Sequence, residues 1–305
     1  MLRAIDSLFD ELVKTDEIKE NTVMRSFDYI RQTEDKNILI ASHRGVSGGN
    51  IPCNSLEAFE IALRQGADII ECDVTKSIDG KLFIFHPGTE PAWLNQEIDI
   101  RKMTSEQIRA LRQVNIDLTA TETPIYSLDD ALEFLKGRCY INLDKCWTCL
   151  PEIVKTIRRH KIEEQILLKS SPKMEYLKQM EELAPDIRYL PIFFETDTAS
   201  ELIESMNINY YGAEVVFSTE ASLLAEDEYI EKMHKKGRKL WGNAIVYYYK
   251  RVLSAGHTDD ISLTKNPDDG WGWLADKKYD IIQTDWPGML RQYLESTGKL
   301  QKKWK

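Results

Sequence analysis

The chain predicts an α/β fold: one parallel sheet closed as an eight-stranded barrel, with an N-terminal helical extension and long insertions in βα loops. Three observations carry this. From residue 38 onward, short apolar runs of strand type alternate with helical patterns, which implies parallel strands joined by right-handed crossovers. The 305 residues show no internal repeat, low-complexity tract or linker, and α/β barrels of this length fold as one domain. The residues with the most chemistry stand at the C-terminal ends of strand runs, the face where such barrels build active sites.

The elements follow in order. Residues 1–37 place Leu2, Ile5, Leu8, Phe9, Leu12 and Val13 at helical spacing, continued by Val23, Phe27 and Ile30. One or two helices closing the bottom of the barrel are expected there, with a partner-binding arm as the alternative. Strand-like runs cover 38–42, 68–74, 81–85, 139–143, 165–169, 188–194, 212–217, 239–246 and 279–284. Helical patterns cover 55–65, 104–113, 128–136, 151–160, 173–183, 199–205, 225–236 and 287–296. Asn54-Ser55 and Ser127 read as helix starts, the second followed by acids that the helix dipole favours. Nine strand candidates compete for eight places, and 212–217 or 239–246 is expected to be the irregular one. Residues 87–126 and 255–273 break the alternation and are expected to wall or cover a substrate. The division is therefore 1–37 as extension and 38–305 as barrel domain.

Composition bounds the function. Hydrophobic residues make up 42% and aromatics 10%, enough for a full core. A net charge of −10 argues against a nucleic-acid surface. No stretch resembles a signal peptide or reaches the roughly 20 apolar residues of a membrane span, so a soluble, cytoplasmic protein is expected. Five cysteines, an odd number, fit reduced thiols better than a disulfide framework. Cys146-Trp147-Thr148-Cys149 has redox spacing, but no second pair completes a zinc site, and a lone spacing match is weak.

His43 and Arg44 end the first strand run, Glu71 and Asp73 the second, His86 the third and Asp144 the fourth. Side chains alternate along a strand, so Glu71 and Asp73 point the same way and suit a hard divalent cation. Two imidazoles supply a general acid and base, and a guanidinium suits phosphate. These are the parts of a metal-assisted phosphodiester-cleaving site.

The ordered motifs carry a resemblance. His43-Arg44-Gly45, then Asn54-Ser55-Leu56-Glu57, then Gly66-Ala67-Asp68-Ile69-Ile70-Glu71-Cys72-Asp73, then Asp79-Gly80 leading to Phe85-His86, resemble the glycerophosphodiester phosphodiesterases. Leu240-Trp241-Gly242-Asn243 and Gln283-Thr284-Asp285-Trp286-Pro287 are similar to that family's last two motifs. The resemblance covers about 38–296. It implies a TIM barrel and a cation, Mg²⁺ or Ca²⁺, held by Glu71, Asp73 and Asp144. It implies His43 and His86 as the acid–base pair, Arg44 as a phosphate contact, and a small phosphodiester as substrate; the charge and the lack of an apolar span argue separately against nucleic acid and membrane insertion. A lyase of phospholipase-D type that stops at a cyclic phosphate is a close alternative. A non-catalytic phosphate-ligand-binding barrel is the other class.

The chain departs from the family's motifs at several positions. Cys53 and Pro87 stand where the family has acids. Lys145 follows Asp144 directly, where the family has an intervening residue, so on a regular strand it would face away. Lys169 is read as a substitute phosphate contact or a surface ion pair. Glu214 is read as binding a cationic head group or pairing with Lys169. Trp241 is placed with these substrate-binding residues, core packing being its alternative. Trp271 and Trp273 are expected to form a mobile aromatic wall, and Trp286 to be core.

Overall fold

The computed structural model describes residues 25–246, 251–302 and 304. Expectations resting on Leu2 to Val23 lie outside the described residues. Helix α1 (Phe27–Thr33) begins at Ser26, whose hydroxyl accepts from the Tyr29 amide. Strand β1 (Leu39–His43) leads to α2 (Leu56–Arg64), and β2 (Ile69–Lys76) leads to β3 (Leu82–Ile84). An insertion follows, with α3 (Glu90–Trp93), α4 (Ser105–Ala110), β4 (Arg112–Val114) and β5 (Ala120–Pro124). Then come α5 (Leu128–Leu135), β6 (Tyr140–Asp144), α6 (Leu150–His160), β7 (Ile166–Ser170) and α7 (Met174–Leu183). The next units are β8 (Arg188–Phe194), α8 (Ser200–Glu204), β9 (Gly212–Val216), α9 (Asp227–Lys235) and β10 (Lys239–Asn243). Helices α10 (Asp259–Thr264) and α11 (Trp271–Asp276) precede β11 (Ile281–Thr284) and α12 (Pro287–Ser296).

Eight parallel strands close the barrel in the order β1, β2, β6, β7, β8, β9, β10, β11, with β1 bonded to both β2 and β11. Helices cover them outside, so each strand is buried on both faces. That is why these runs read as nearly continuous apolar sequence, Ile166-Leu167-Leu168 for example, rather than alternating. Ser55 and Ser127 cap α2 and α5 as their sequence implied.

The ninth strand candidate resolves differently from expectation. Both 212–217 and 239–246 supply barrel strands, and the strand outside the barrel is β3. It pairs antiparallel with the far end of β2, Val74 opposite Ile84 and Lys76 opposite Leu82. Between them the chain turns at Gly80, whose φ of +80° suits glycine. A short apolar run signals a strand but not its direction. The insertion after β3 packs its own small core of Phe83, Phe85, Leu94, Ile100, Ile108 and Ile125. The helical pattern at 104–113 ends at Ala110, where β4 begins a two-stranded hairpin with β5.

At the opposite end, α1 lies against the start of the barrel. Phe27 meets Tyr140 edge-on at 5.0 Å, and Glu34 accepts from the hydroxyls of Tyr140 and Tyr211. The expected closure of the bottom is therefore present for this helix. Among the described residues, no helix is long and apolar enough to cross a membrane.

Candidate active site

Strand register assembles the site. His43 lies opposite Glu71, Glu71 opposite Asn142, and Asp73 opposite Asp144. Period-two alternation puts Glu71 and Asp73 on one face, and β6 delivers Asp144 beside Asp73. One oxygen of each carboxylate falls within 4.8 Å of the others. Burial, then the Asp73 charge, pushes the Glu71 carboxyl up to about 7. Burial also opposes the Asp144 charge, but Lys145 and Lys169 outweigh it and hold that carboxyl below its ordinary value. Oδ1 of Asp73 and of Asp144 are buried with no hydrogen-bond partner among the described residues. Converging buried carboxylates with open oxygens fit a hard divalent cation, because unpaired buried oxygen is costly.

The two imidazoles reach this cluster by different routes. His43 ends β1, and its Nδ1 lies 2.9 Å from Asp285 Oδ1. Because a carboxylate accepts, Nδ1 carries the proton of this hydrogen bond. Burial disfavours the imidazolium, but the Asp285 hydrogen bond and the charges of Asp285 and Glu71 outweigh it and raise the His43 pKa. His86 arrives on the return arm of the β2–β3 hairpin, where the Phe85 amide donates to the Asp73 carbonyl at 3.0 Å. His86 Nε2 lies 3.9 Å from Asp73 Oδ1. Burial, with Arg44 and Lys145 nearby, lowers its pKa against the pull of Asp73. The turn beyond it is fixed by Thr89, whose hydroxyl donates to the His86 carbonyl at 2.8 Å. Buried Glu90 also holds the turn, accepting from the Gly88 amide at 2.6 Å.

Arg44 adopts a left-handed backbone, φ 57°, and its Nε lies 2.8 Å from Asp73 Oδ2. Asn54 Nδ2 donates to that same oxygen at 3.0 Å, and the Asn54 amide donates to the Arg44 carbonyl. Lys145 corrects the strand-based expectation. Its left-handed φ of 58° ends β6 and swings the side chain back, so Nζ stands 3.1 Å from Asp144 Oδ2. Sequence reasoning singled out neither Asn54 nor Asp285 as a site residue. Both sat inside quoted motifs, Asn54 as a helix start and Asp285 just past a strand end.

Beside the carboxylates, Lys169 pairs with Glu214 at 2.6 Å, and Asn243 Nδ2 donates to Glu214 at 2.9 Å. Lys169 also lies 3.9 Å from the Trp241 ring centre. Lys169 is 3% exposed, which excludes the surface-pair reading. Trp241 is fully buried and its indole donates to Gln283, so it packs as core. The other tryptophans reverse expectation. Trp271 and Trp273 belong to α11, Trp271 is buried, and Trp273 stacks on His257 at 3.9 Å. Trp286, expected in the core, is 50% exposed. A Gly-flanked aromatic pair looks loop-like in sequence, but here an insertion supplies a helix and a packing partner. All five cysteines are free and buried. Burial pushes the Cys146 and Cys149 thiols up, away from a reactive thiolate.

Fold and site together define a class: a TIM barrel whose C-terminal rim carries three converging carboxylates, two imidazoles and a guanidinium. Comparisons with known proteins narrow it. A glycerophosphodiester phosphodiesterase of Caldanaerobacter subterraneus subsp. tengcongensis is 28% identical over 158 residues, 49% of this chain and 64% of that protein. The match thus spans just under two thirds of the curated relative's length. The crystal structure of a glycerophosphoryl diester phosphodiesterase from Parabacteroides distasonis superposes with a TM-score of 0.72 at 19% identity, covering 92% of this chain and 97% of that one. An Oleispira antarctica phosphodiesterase, in complex with its product sn-glycerol-3-phosphate, gives a TM-score of 0.61 at 18% identity, covering 85% and 97%. A family model described as a domain of unknown function matches residues 189–294. The chain is therefore similar in sequence to glycerophosphodiester phosphodiesterases over about half its length, and shares their fold over most of it.

Proposed function

We propose that this protein is a metal-dependent glycerophosphodiester phosphodiesterase that releases an alcohol and glycerol phosphate. The observation that carries the reading is the three carboxylates within 4.8 Å of one another, flanked by two imidazoles of opposite pKa tendency. Groups whose surroundings push their pKa values apart are suited to separate acid and base roles. A divalent cation, Mg²⁺ or Ca²⁺, held by Glu71, Asp73 and Asp144, would neutralise charge on the phosphate oxygens.

The chain's own groups do the rest. Arg44, fixed by Asp73 and by its own left-handed backbone, orients the phosphate. Neutral His86 removes a proton from the attacking hydroxyl. Protonated His43, with Nδ1 committed to Asp285, gives its Nε2 proton to the leaving alkoxide. In a glycerol diester the attacking hydroxyl is the neighbouring one on glycerol, which forms a cyclic phosphate. In the second step water opens that ring with the proton roles reversed. Lys169 lies beside Asp144 with its charge paired to Glu214, and Trp241 packs behind it in the core. The substrate is a small soluble diester and the protein is cytoplasmic. Residues 1–37 form an extension to a catalytic domain at 38–305.

A panel of glycerophosphodiesters differing in the alcohol, followed by phosphorus NMR, tests this. Glycerol phosphate is the expected end product. An accumulating cyclic phosphate would make the protein a lyase, and an untouched panel would remove the reading.

A further inference from the structure

We propose that Asp259, in the second insertion, is a positioning residue that sets Asp285 against His43. This rests on the reading of His43 above. Asp259 opens α10, and its amide donates to the Ala244 carbonyl at 2.6 Å, which ties it to the end of β10. Its side chain reaches across to the end of β11. Oδ2 accepts the Asp285 backbone amide at 2.8 Å. Oδ1 accepts the Thr284 hydroxyl at 2.7 Å and the Trp271 indole at 2.6 Å. One buried carboxylate thus takes three donors from the strand end, the turn after it and α11.

Asp285 needs such support. Its own side chain is 47% exposed, so water competes for the carboxylate that must face Nδ1 of His43. What fixes the Oδ1–Nδ1 distance of 2.9 Å is the place of the Asp285 peptide, and Asp259 holds that peptide. Burial pushes the Asp259 carboxyl up to about 6 against its three donors, the cost of keeping a carboxylate here. A surface insertion that merely walled the mouth would not need a buried acid at its root.

The test is Asp259→Asn, Asp285→Asn and the pair together, assayed for kcat and KM on a glycerophosphodiester. Asp259→Asn is expected to lower kcat by roughly tenfold to 10²-fold with KM nearly unchanged, since misplacement costs rate rather than binding. The double variant is expected to be no slower than Asp285→Asn alone, because both act through one hydrogen bond. The His43 Nδ1–H proton resonance, read without substrate, is expected to move upfield or vanish in Asp259→Asn. It reports on positioning even if no diester is cleaved, which separates failure of this proposal from failure of the phosphodiesterase reading. Should Asp259→Asn not fold, Thr284→Val, which removes one donor from the same carboxylate, is expected to shift the same resonance. Normal kcat, additive losses or an unmoved resonance would overturn the assignment.

Discussion

Asp73 is where the charges of the site meet: it is opposite Asp144, bonded to Arg44 and Asn54, and 3.9 Å from His86. Asp73→Ala is expected to abolish both cation binding and turnover in a folded protein, as titration calorimetry and the diesterase assay would show. Retained Mg²⁺ or Ca²⁺ affinity would contradict the ligand set. His43→Ala and His86→Ala are each expected to slow turnover roughly 10²–10⁴-fold. His257, stacked on Trp273, and His160, beside Asp129, are held by groups outside the cluster, and their alanine variants are expected to turn over near the wild-type rate. A larger loss at His257 than at His86 would mean the pair is misassigned. At this scale the convergence of His43, Glu71, Asp73 and Asp144 was legible because the ends of parallel strands and period-two alternation place side chains reliably. Lys145 was not, because the alternation stops where the backbone turns left-handed. Asp285 was not, because its part is played through a residue 242 positions away.

The element that does most for the site is the loop from β1 into α2, which carries Arg44, Gly45 and Asn54. Gly45 has a φ of +75°, and a Cβ there would stand 2.8 Å from the Ala58 carbonyl oxygen and 2.7 Å from its carbon. Gly45→Ala is expected to cost about 1–3 kcal/mol, measured by urea unfolding, and to reduce activity by displacing Arg44. Unchanged stability would show that the loop has slack. The β2–β3 hairpin is the element the sequence misrepresents. Run 81–85 has strand composition, and only pairing partners reveal that it folds back on β2. That reversal brings His86 to Asp73, so the residue was found for a reason the fold does not use. Helix starts at Ser55 and Ser127 were legible because capping chemistry is local.

Across the whole molecule, the candidate site sits at one rim and a cluster of buried ion pairs at the other. At the base, Asp280 accepts from the Leu240 amide at 2.9 Å and is met by His234 at 2.9 Å and Lys302 at 2.8 Å. Burial opposes its charge, but these partners hold its carboxyl at about 2 against an ordinary 3.8. A depressed carboxylate stabilises the fold above its unfolded pKa, and the contribution disappears as pH falls through the folded value. Asp280→Asn is therefore expected to lose about 2 kcal/mol at neutral pH, with the gap to wild type closing between roughly pH 4 and pH 2. A gap that stays constant over that range would assign the loss to packing. Barrel closure was legible from alternation alone, whereas the ion pairs at the base were not, since they join Asp280 to His234 and Lys302 across separate elements. In the proposed mechanism the rim cleaves phosphodiesters with the help of a cation held by three carboxylates. The most direct measurement is release of glycerol phosphate from a glycerophosphodiester before and after EDTA, with Mg²⁺ or Ca²⁺ added back. Loss of activity on chelation and its return with the metal is the expected result. Undiminished hydrolysis by the fully chelated protein would contradict it.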